Sequence, residues 1–466
     1  MRATPEIDAR VGLEKLASYP YQIASWVDDA GYPVSVAVVA SIDAPSRAAT
    51  FAPPAGLDVP TDRVLSLTGS HIRPQPGYGY DERRHVTVWG RVSPGIRPDT
   101  MARVLTLTGR SAWGWDESEV PFFEYSERSV PRSRRYFDAL SAERGTPVKP
   151  RLPFGFLVMR TTRLPFLTAT IVPVLLGILI AAAHGAFDLS SAALTVIGAS
   201  FVQLGLNVAN DVFDTVQGAD DANVTPTKFS GGSRVIQYGL VSLRQMATLA
   251  AVFYVAAAVI GLLLLATSGS VALLVIGVVG FIVSIGYTAP PLKFVYRGLG
   301  EIAVAIGFGP LMLLGAYVVQ TRGALALEPF VASIPIALLV ALILYVNEIP
   351  DRRGDAHAGK RTLPVRFSRA AVVGGYNAAA VAAYVAVVIG VLSGVLPVPA
   401  LLMLLTIPLA RRVSSGLTPN YDNPYGLMTF MGVNVQLHLA AGALLLVAYV
   451  IVLLAGALAP GVDLFL

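Results

Sequence analysis

The chain contains no cysteine, which excludes disulfides, thiolate metal sites and cysteine nucleophiles. Charge is thin as well: 14% of its 466 residues are Asp, Glu, Lys or Arg, against 54% hydrophobic, and the mean hydropathy is +0.61. Acid is thinnest in the second part. Residues 1–150 hold eighteen Lys/Arg and eighteen Asp/Glu, whereas residues 151–466 hold seventeen basic and only twelve acidic residues, so the whole net charge of +5 arises there. No contiguous basic helix or arm accompanies that excess, so no nucleic acid is expected as a partner, and a lipid bilayer is. The opening MRATPEIDARVGLEKLASYP lacks an apolar core of signal-peptide type, and the first domain is expected not to be exported.

What the second part has in abundance is apolar sequence. Nine stretches of spanning length begin after residue 160: 163–183, 190–212, 245–267, 271–289, 299–320, 329–349, 370–393, 395–410 and 435–459. The eighth is short enough to be tilted or re-entrant. The connections after the second, fourth, sixth and eighth carry Lys228, Arg234, Arg244, Lys293, Arg297, Arg352, Arg353, Lys360, Arg361, Arg366, Arg369, Arg411 and Arg412, and the opposite connections carry only Arg322. Positive loops stay in the cytoplasm. The expectation is an all-α multi-pass protein of the cell (cytoplasmic) membrane, with its N-terminus inside and its C-terminus outside.

Residues 1–140 read as a soluble β-domain. YQIASWVDDAGYPVSVAVVASID gives two strand-like runs about a DDAGYP turn, and RVLSLTGSHI and RRHVTVWGRVSP add further short strands. A helix is expected near Pro98–Gly109. Many short strands punctuated by Gly and Pro suggest a small barrel. The opening hairpin and the GYDERRHVTVWGRV strand resemble the split barrel of pyridoxamine-phosphate-oxidase-like flavin binders, which implies FMN as a possible ligand; a barrel serving as a docking or regulatory module is the alternative. Residues 141–162, with three prolines, read as a linker, and residues 163–459 as the membrane domain.

Seven of the twelve acids of the second part (Asp211, Asp214, Asp220, Asp221, Glu348, Asp351 and Asp355) gather in two places. NVANDVFDTVQGAD holds Asn207, Asn210, Asp211, Asp214 and Asp220, and VNEIPDRRGDAHAGKR holds Asn347, Asp351 and Asp355. On a helix, Asn207, Asp211, Asp214 and Gly218 share one face, and Asn347, Asp351 and Asp355 advance by four residues each time. Ionisable groups near lipid are costly and usually face an interior site. Two helix ends that each offer an amide and paired carboxylates suit Mg²⁺, which is held by a few carboxylates together with phosphate oxygens and water. The bland alternative is acids that merely meet water or arginine at a membrane boundary; two matching clusters weigh against it. Lys228, Arg234, Lys293 and Lys360 adjoin the clusters in Gly/Pro-marked loops and are candidates to neutralise a diphosphate.

These motifs, with TRLPFLTATIVPVLLG in the first span, the YTAPPLKFVYRGLGE loop running into GFGPLMLLGAYVVQT, and the AGKRTLPVR tail, resemble the UbiA superfamily of intramembrane prenyltransferases. Within it the 1,4-dihydroxy-2-naphthoate polyprenyltransferase branch is the nearest in pattern. Two departures stand out: Gly218 occupies the place of a frequent third aspartate, and Glu348 and Pro350 sit inside NEIPD. The resemblance implies that Asp211, Asp214, Asp351 and Asp355 hold two Mg²⁺ ions across the diphosphate of a polyprenyl donor, and that an aromatic acceptor attacks the allylic carbon. It also implies an apolar groove for the isoprenoid tail, expected in the Gly/Ala-rich fifth to seventh spans. Tyr287 is a candidate contact for the cation or acceptor, or equally an interfacial tyrosine. Another quinone ring, a tetrapyrrole or a glycerol-phosphate lipid stays open as acceptor. A carboxylate-based transporter is the non-enzymatic rival, and transporters place charge near the midplane at broken helices rather than beside basic loops.

Overall fold

The structure is a computed structural model that describes residues 6–53, 55–75, 79–97, 101–149, 152–223, 225–458 and 464–466. The chain divides into two compact units, Met1–Ala139 and Leu140–Leu466.

The first unit contains β1 (Glu6–Ile7), α1 (Ala9–Leu16), β2 (Gln22–Val27), β3 (Pro33–Val38), β4 (Ala40–Asp43), β5 (Ala48–Phe51), β6 (Val64–Gln75), β7 (Gly79–Ile96) and β8 (Arg103–Asp116), followed by α2 (Phe122–Arg144). Every ladder is antiparallel, in the order β3-β2-β6-β7-β8-β5-β4, with β1 also on β8. The expected opening hairpin is present: β2 and β3 pair from Gln22↔Val38 to Val27↔Pro33, around a turn in which Gly31 takes φ 86°. β3 and β4 lie at opposite ends of the ladder, yet only Val39 separates them in sequence. One residue cannot cross a flat sheet, so the sheet curls and brings its two edges toward each other, forming a half-barrel whose edges the chain bridges without hydrogen-bonding them. Leu13, Leu16, Phe51, Leu65, Leu67, Leu105 and Leu107 fill it.

The helix expected near Pro98–Gly109 is a correction. Residues 98–100 lie outside the described part, and Arg103–Asp116 is a strand paired with β7. The run RVLTLTGR alternates buried Val104, Leu105 and Leu107 with outward Thr and Arg, a two-residue period that its leucines obscure. The expected linker is also partly ordered, because α2 reaches Arg144 and α3 (Phe154–Thr162) precedes the first span; residues 150–151 are outside the described part.

The second unit is helical. After α3 come α4 (Thr168–Ala183), α5 (Leu189–Val216), α6 (Ala219–Ala222), α7 (Leu243–Ser268), α8 (Val271–Gly286), α9 (Gly300–Ile306), α10 (Met312–Gln320), α11 (Leu327–His357), α12 (Leu363–Arg366), α13 (Arg369–Leu392), α14 (Ile407–Asn420) and α15 (Pro424–Leu458). Among the described residues, eight helical segments are long and apolar enough to cross a membrane, and α8, at 16 residues, is a shorter apolar ninth. The short element is therefore the fourth of the nine, not the eighth. The eighth runs as a 23-residue segment, Val398–Asn420, that begins as a 3₁₀ turn. Polar caps punctuate the series: Asp188 accepts from the Ser191 N–H, Ser242 and Gln245 form a capping box, and Ser270 and Ser368 cap α8 and α13. Between α9 and α10 the backbone widens into a π-turn, Gly307–Leu311, at Pro310, which has no N–H for the helical ladder.

Side chains sort by face. Val252, Val255, Val259, Leu262 and Leu263 of α7 and Leu274, Val275 and Val278 of α8 point outward, as lipid-facing residues do, whereas Leu176, Ile180, Ile336, Val346, Tyr376 and Leu437 are fully buried. Glycine allows the closest helix approaches. A Cβ at Gly177 of α4 would lie 2.3 Å from the Leu313 carbonyl oxygen of α10, and one at Gly309 would lie 2.4 Å from Ala337 Cβ. Gly177→Val should accordingly lower the thermal unfolding midpoint of the purified protein in detergent, with an overpacking penalty of about 1–3 kcal/mol; an unchanged midpoint would show that α4 and α10 are free to separate.

Candidate active site

Two helices deliver the acids to one place. α5 ends after Val216, where Gly218 adopts a left-handed φ of 80°, and the short turn α6 then buries Asp220. α11 continues through Pro350 to His357 and carries Asp351 and Asp355 past the end of its apolar stretch. All five aspartates except Asp351, which is part-exposed, are less than a tenth exposed.

Four of the five carboxylates have a specific donor or cation beside them. Asp211 forms an ion pair with Arg163 and accepts from the Ser233 N–H at 3.2 Å. Asp214 accepts from the Tyr296 hydroxyl (2.9 Å), Lys360 Nζ (3.0 Å) and Asn210 Nδ2 (3.1 Å). Asp351 accepts from Asn223 Nδ2 (2.8 Å) and the Gly231 N–H (2.9 Å). Asp355 lies 3.9 Å from Lys360 Nζ. The loop between α6 and α7 thus touches both clusters through its backbone. It comes this close because Gly231 and Gly232 take φ of 79° and 75°, and a Cβ on Gly232 would lie 2.7 Å from Asp220 Oδ1.

Between these groups lies a polar cavity of about 180 Å³. Its wall includes Arg163, Asn207, Asn210, Asp214, Asp220, Tyr287, Asn347, Glu348, Asp351, Asp355 and Lys360. Asp211 is not on the wall; its ion-pair partner Arg163 is. The electrostatics are those of crowded acid. Burial, then the charges of Asp211 and Asp214, push the Asp220 carboxyl well above the usual aspartate range. Burial works to discharge Lys360, but Asp214 and Asp355 overcome it and hold the ammonium well above its ordinary pKa. Burial, followed by Glu348, keeps Tyr287 a neutral phenol, and burial with Asp214 does the same for Tyr296.

The donor set fits magnesium. Asp220 Oδ2 is buried without a hydrogen-bond partner, and the remaining candidate ligands are carboxylate and amide oxygens. Among the described residues, no three His, Cys, Asp or Glu side chains converge closely enough to enclose one ion. Mg²⁺ asks for less than that, since one or two carboxylates with phosphate oxygens and water complete its octahedron.

The expected site residues divide. Asn207, Asn210, Asp214, Tyr287, Asn347, Asp351, Asp355 and Lys360 meet at the cavity. Arg234 is buried, but its guanidinium donates to the backbone carbonyl of Asp220 and is not on the cavity wall. Lys293 stacks over the Tyr296 ring at 5.4 Å, and Lys228 is exposed; neither lines the cavity. Sequence reasoning missed Arg163, Tyr296 and Asn223. Arg163 had a signal, a basic residue directly ahead of the first span, whereas Tyr296 and Asn223 are recruited only by the fold.

A second, apolar cavity of about 510 Å³ lies against the first, with Gln203, Leu206, Tyr287, Val304 and Phe308 on the walls of both. Its walls come mainly from α5, α7, α8 and the α9–α10 segment, with Gly261, Gly277, Gly280 and Gly315 leaving the room. This corrects the expected groove in the fifth to seventh spans, of which only the fifth takes part. α11 and α13 instead pack into the core, where Val346, Tyr376, Ala383 and Val387 are fully buried.

The model of the UbiA prenyltransferase family matches residues 170–434. The chain belongs to that family. It is 28% identical over 297 residues to 1,4-dihydroxy-2-naphthoate octaprenyltransferase of Bacillus subtilis (strain 168), spanning 64% of this chain and 93% of that relative. To the protein of the same name from Escherichia coli (strain K12) it is 30% identical over 214 residues, 45% of this chain and 67% of the relative. A solved apo structure of a UbiA homolog from Aeropyrum pernix K1 aligns at TM-score 0.46 and 20% identity, over 60% of this chain and 97% of that one. As a UbiA family member with eight spanning helices among the described residues, the protein is a multi-pass membrane prenyltransferase.

The Arg163–Asp211 pair yields a direct test. Removing one partner of a buried pair strands the other charge, at a cost of roughly 3 kcal/mol here, the lower end of the usual range because Arg163 is partly exposed. Arg163→Ala should lower the thermal midpoint, and the double variant Arg163→Ala/Asp211→Asn should regain most of the loss. A double variant no more stable than Arg163→Ala would mean that the pair is not coupled.

Proposed function

We propose that this prenyltransferase moves a polyprenyl group from its diphosphate to 1,4-dihydroxy-2-naphthoate, with magnesium, in menaquinone synthesis. The observation that carries the reading is the adjacency of the two cavities: an acid- and cation-lined chamber shares five wall residues with an apolar one. That pairing suits a molecule with a diphosphate head and a hydrocarbon tail. The naphthoate is supported by the names of the Bacillus subtilis and Escherichia coli relatives.

Asp214, Asp351 and Asp355, with Asp211 behind Arg163 and the unpartnered oxygen of Asp220, are the residues we assign to the metal. Magnesium, when bound, neutralises the diphosphate and stabilises charge gathering on the leaving oxygen. Lys360 and Arg163 add fixed positive charge on the same wall, and preorganised charge of this kind favours the state in which the allylic C–O bond is breaking. Leu206, Val304 and Phe308 at the junction keep water from the allylic carbon, so that the electron-rich acceptor ring takes it instead. Tyr287, a neutral phenol on the wall of both cavities, stands where the reacting carbon would lie. The loop-charge asymmetry supports a site and N-terminus on the cytoplasmic side of the cell membrane and a C-terminus outside.

Purified full-length protein given dihydroxynaphthoate, magnesium and polyprenyl diphosphates of several lengths should form prenylated product. Asp351→Ala and Asp211→Ala should cut that transfer by about 100-fold or more while each keeps a folded thermal transition. Undiminished transfer in Asp351→Ala would remove the metal assignment. Alkylation of another quinone ring, a tetrapyrrole or a glycerol-phosphate lipid in place of the naphthoate would reassign the acceptor.

For the N-terminal unit, the rolled antiparallel sheet supports FMN binding. Arg10, Arg47, Arg63, Arg83 and Arg128 are tied to carboxylates, so none of these five is free to hold a flavin phosphate. The flavin reading expects a yellow full-length protein; a colourless one that stays colourless after FMN is added and excess ligand removed would eliminate it.

A further inference from the structure

The cavity holds one acid that the metal assignment leaves unused. Glu348 stands on α11, three residues before Asp351, so it lies about one helical turn farther from the cluster end of that helix. It is only 6% exposed, it forms part of the polar cavity wall, and no donor group reaches either of its carboxyl oxygens. The charged group acting on it most strongly is Glu301 of α9, itself 8% exposed and with Oε1 also lacking a donor. Apolar Ile343 and Leu344 lie about one turn before Glu348 on α11 and line the same cavity, and Asp355 and Lys360 act on Glu348 less strongly than Glu301.

Buried polar groups are nearly always paired, and an orphaned one calls for an explanation. A lipid tail does not provide one, because hydrocarbon offers a carboxyl no partner. A diphosphate does not either, because its oxygens would repel the acid. The remaining participant is the acceptor ring, whose hydroxyl groups are donors to carboxyl oxygens. Tyr287, beside Glu348 and shared by both cavities, lies at the junction where the ring must approach the allylic carbon.

We propose that Glu348, flanked by Glu301, accepts a hydrogen bond from a ring hydroxyl of the aromatic acceptor and so determines which rings are alkylated. The assignment rests on the prenyl-transfer reading above and deepens it by naming the acceptor contact. It makes Glu348 a specificity-determining residue, separate from the machinery that holds the diphosphate.

The test is steady-state kinetics on the full-length protein, wild type against Glu348→Leu and Glu348→Gln, with calorimetric binding of a prenyl diphosphate and magnesium measured alongside. Glu348→Leu should lower kcat/KM for dihydroxynaphthoate by about 10- to 100-fold, the worth of one hydrogen bond to a charged group, and leave prenyl diphosphate binding within about twofold. Glu348→Gln, which keeps an acceptor oxygen, should recover part of that loss. A naphthoate methylated at the contacted hydroxyl should be used poorly by the wild type and no worse by Glu348→Leu. Unchanged acceptor kinetics in both variants, or an equal loss of prenyl diphosphate binding, would overturn the assignment. Should Glu348→Leu fail to fold, Glu348→Gln with the methylated analogue decides the question instead: an analogue penalty equal to that of the wild type would sink the proposal. A wild type that binds the prenyl diphosphate yet leaves every naphthoate unalkylated would defeat the acceptor reading itself, a result distinct from a change confined to the variants.

Discussion

The membrane unit depends on how negative charge is kept at the ends of apolar helices. A carboxylate removed from water is strongly disfavoured unless donors replace the water. Here those donors come from distant parts of the chain: Arg163 ahead of the first span, Tyr296 and Lys360 from two different loops, and Asn223 and the Gly231 and Ser233 N–H groups from a third. Satisfying the acids therefore ties α5, α11 and three loops into one chamber. The same demand explains the paired glycines, since only a residue without a Cβ lets the loop backbone approach Asp220.

That chamber would be of little use alone. Its junction with the apolar cavity, through Gln203, Leu206, Tyr287, Val304 and Phe308, sets a charged end and a hydrocarbon end side by side. The two ends obey opposite rules. The polar end needs dense, fixed partners, and the apolar end needs space, which the glycines of α7 and α8 leave. Glu348 lies on the wall of the polar cavity, and its lack of a donor is conspicuous because most of the aspartates around it have one.

Much of the membrane unit was legible from residue order. Long apolar runs reveal spans because the bilayer thickness imposes their length, and acids spaced by three and four residues reveal a shared helical face. Legibility failed where period or packing decides. Arg103–Asp116 has a two-residue alternation masked by leucine, which gives its start the look of a helix. Spans rich in small residues suggest room for a tail, but small residues serve close packing as readily as open space: Ala383 of α13 is buried against neighbours, whereas Gly261 and Gly277 line the cavity. Lys228, Lys293 and Arg234 adjoin the clusters in sequence, yet they are directed respectively to solvent, to the Tyr296 ring and to a backbone carbonyl.

By itself the sequence determined the membrane character of the second part of the chain, the two acid clusters and the family they signal, because hydrophobic length and helical spacing are local properties of the chain. Only the tertiary structure decided which cation meets which carboxylate, where the tail has room, and that Glu348 is left without a donor. Those outcomes depend on contacts between residues as far apart as Asp214 and Lys360, which no local pattern encodes.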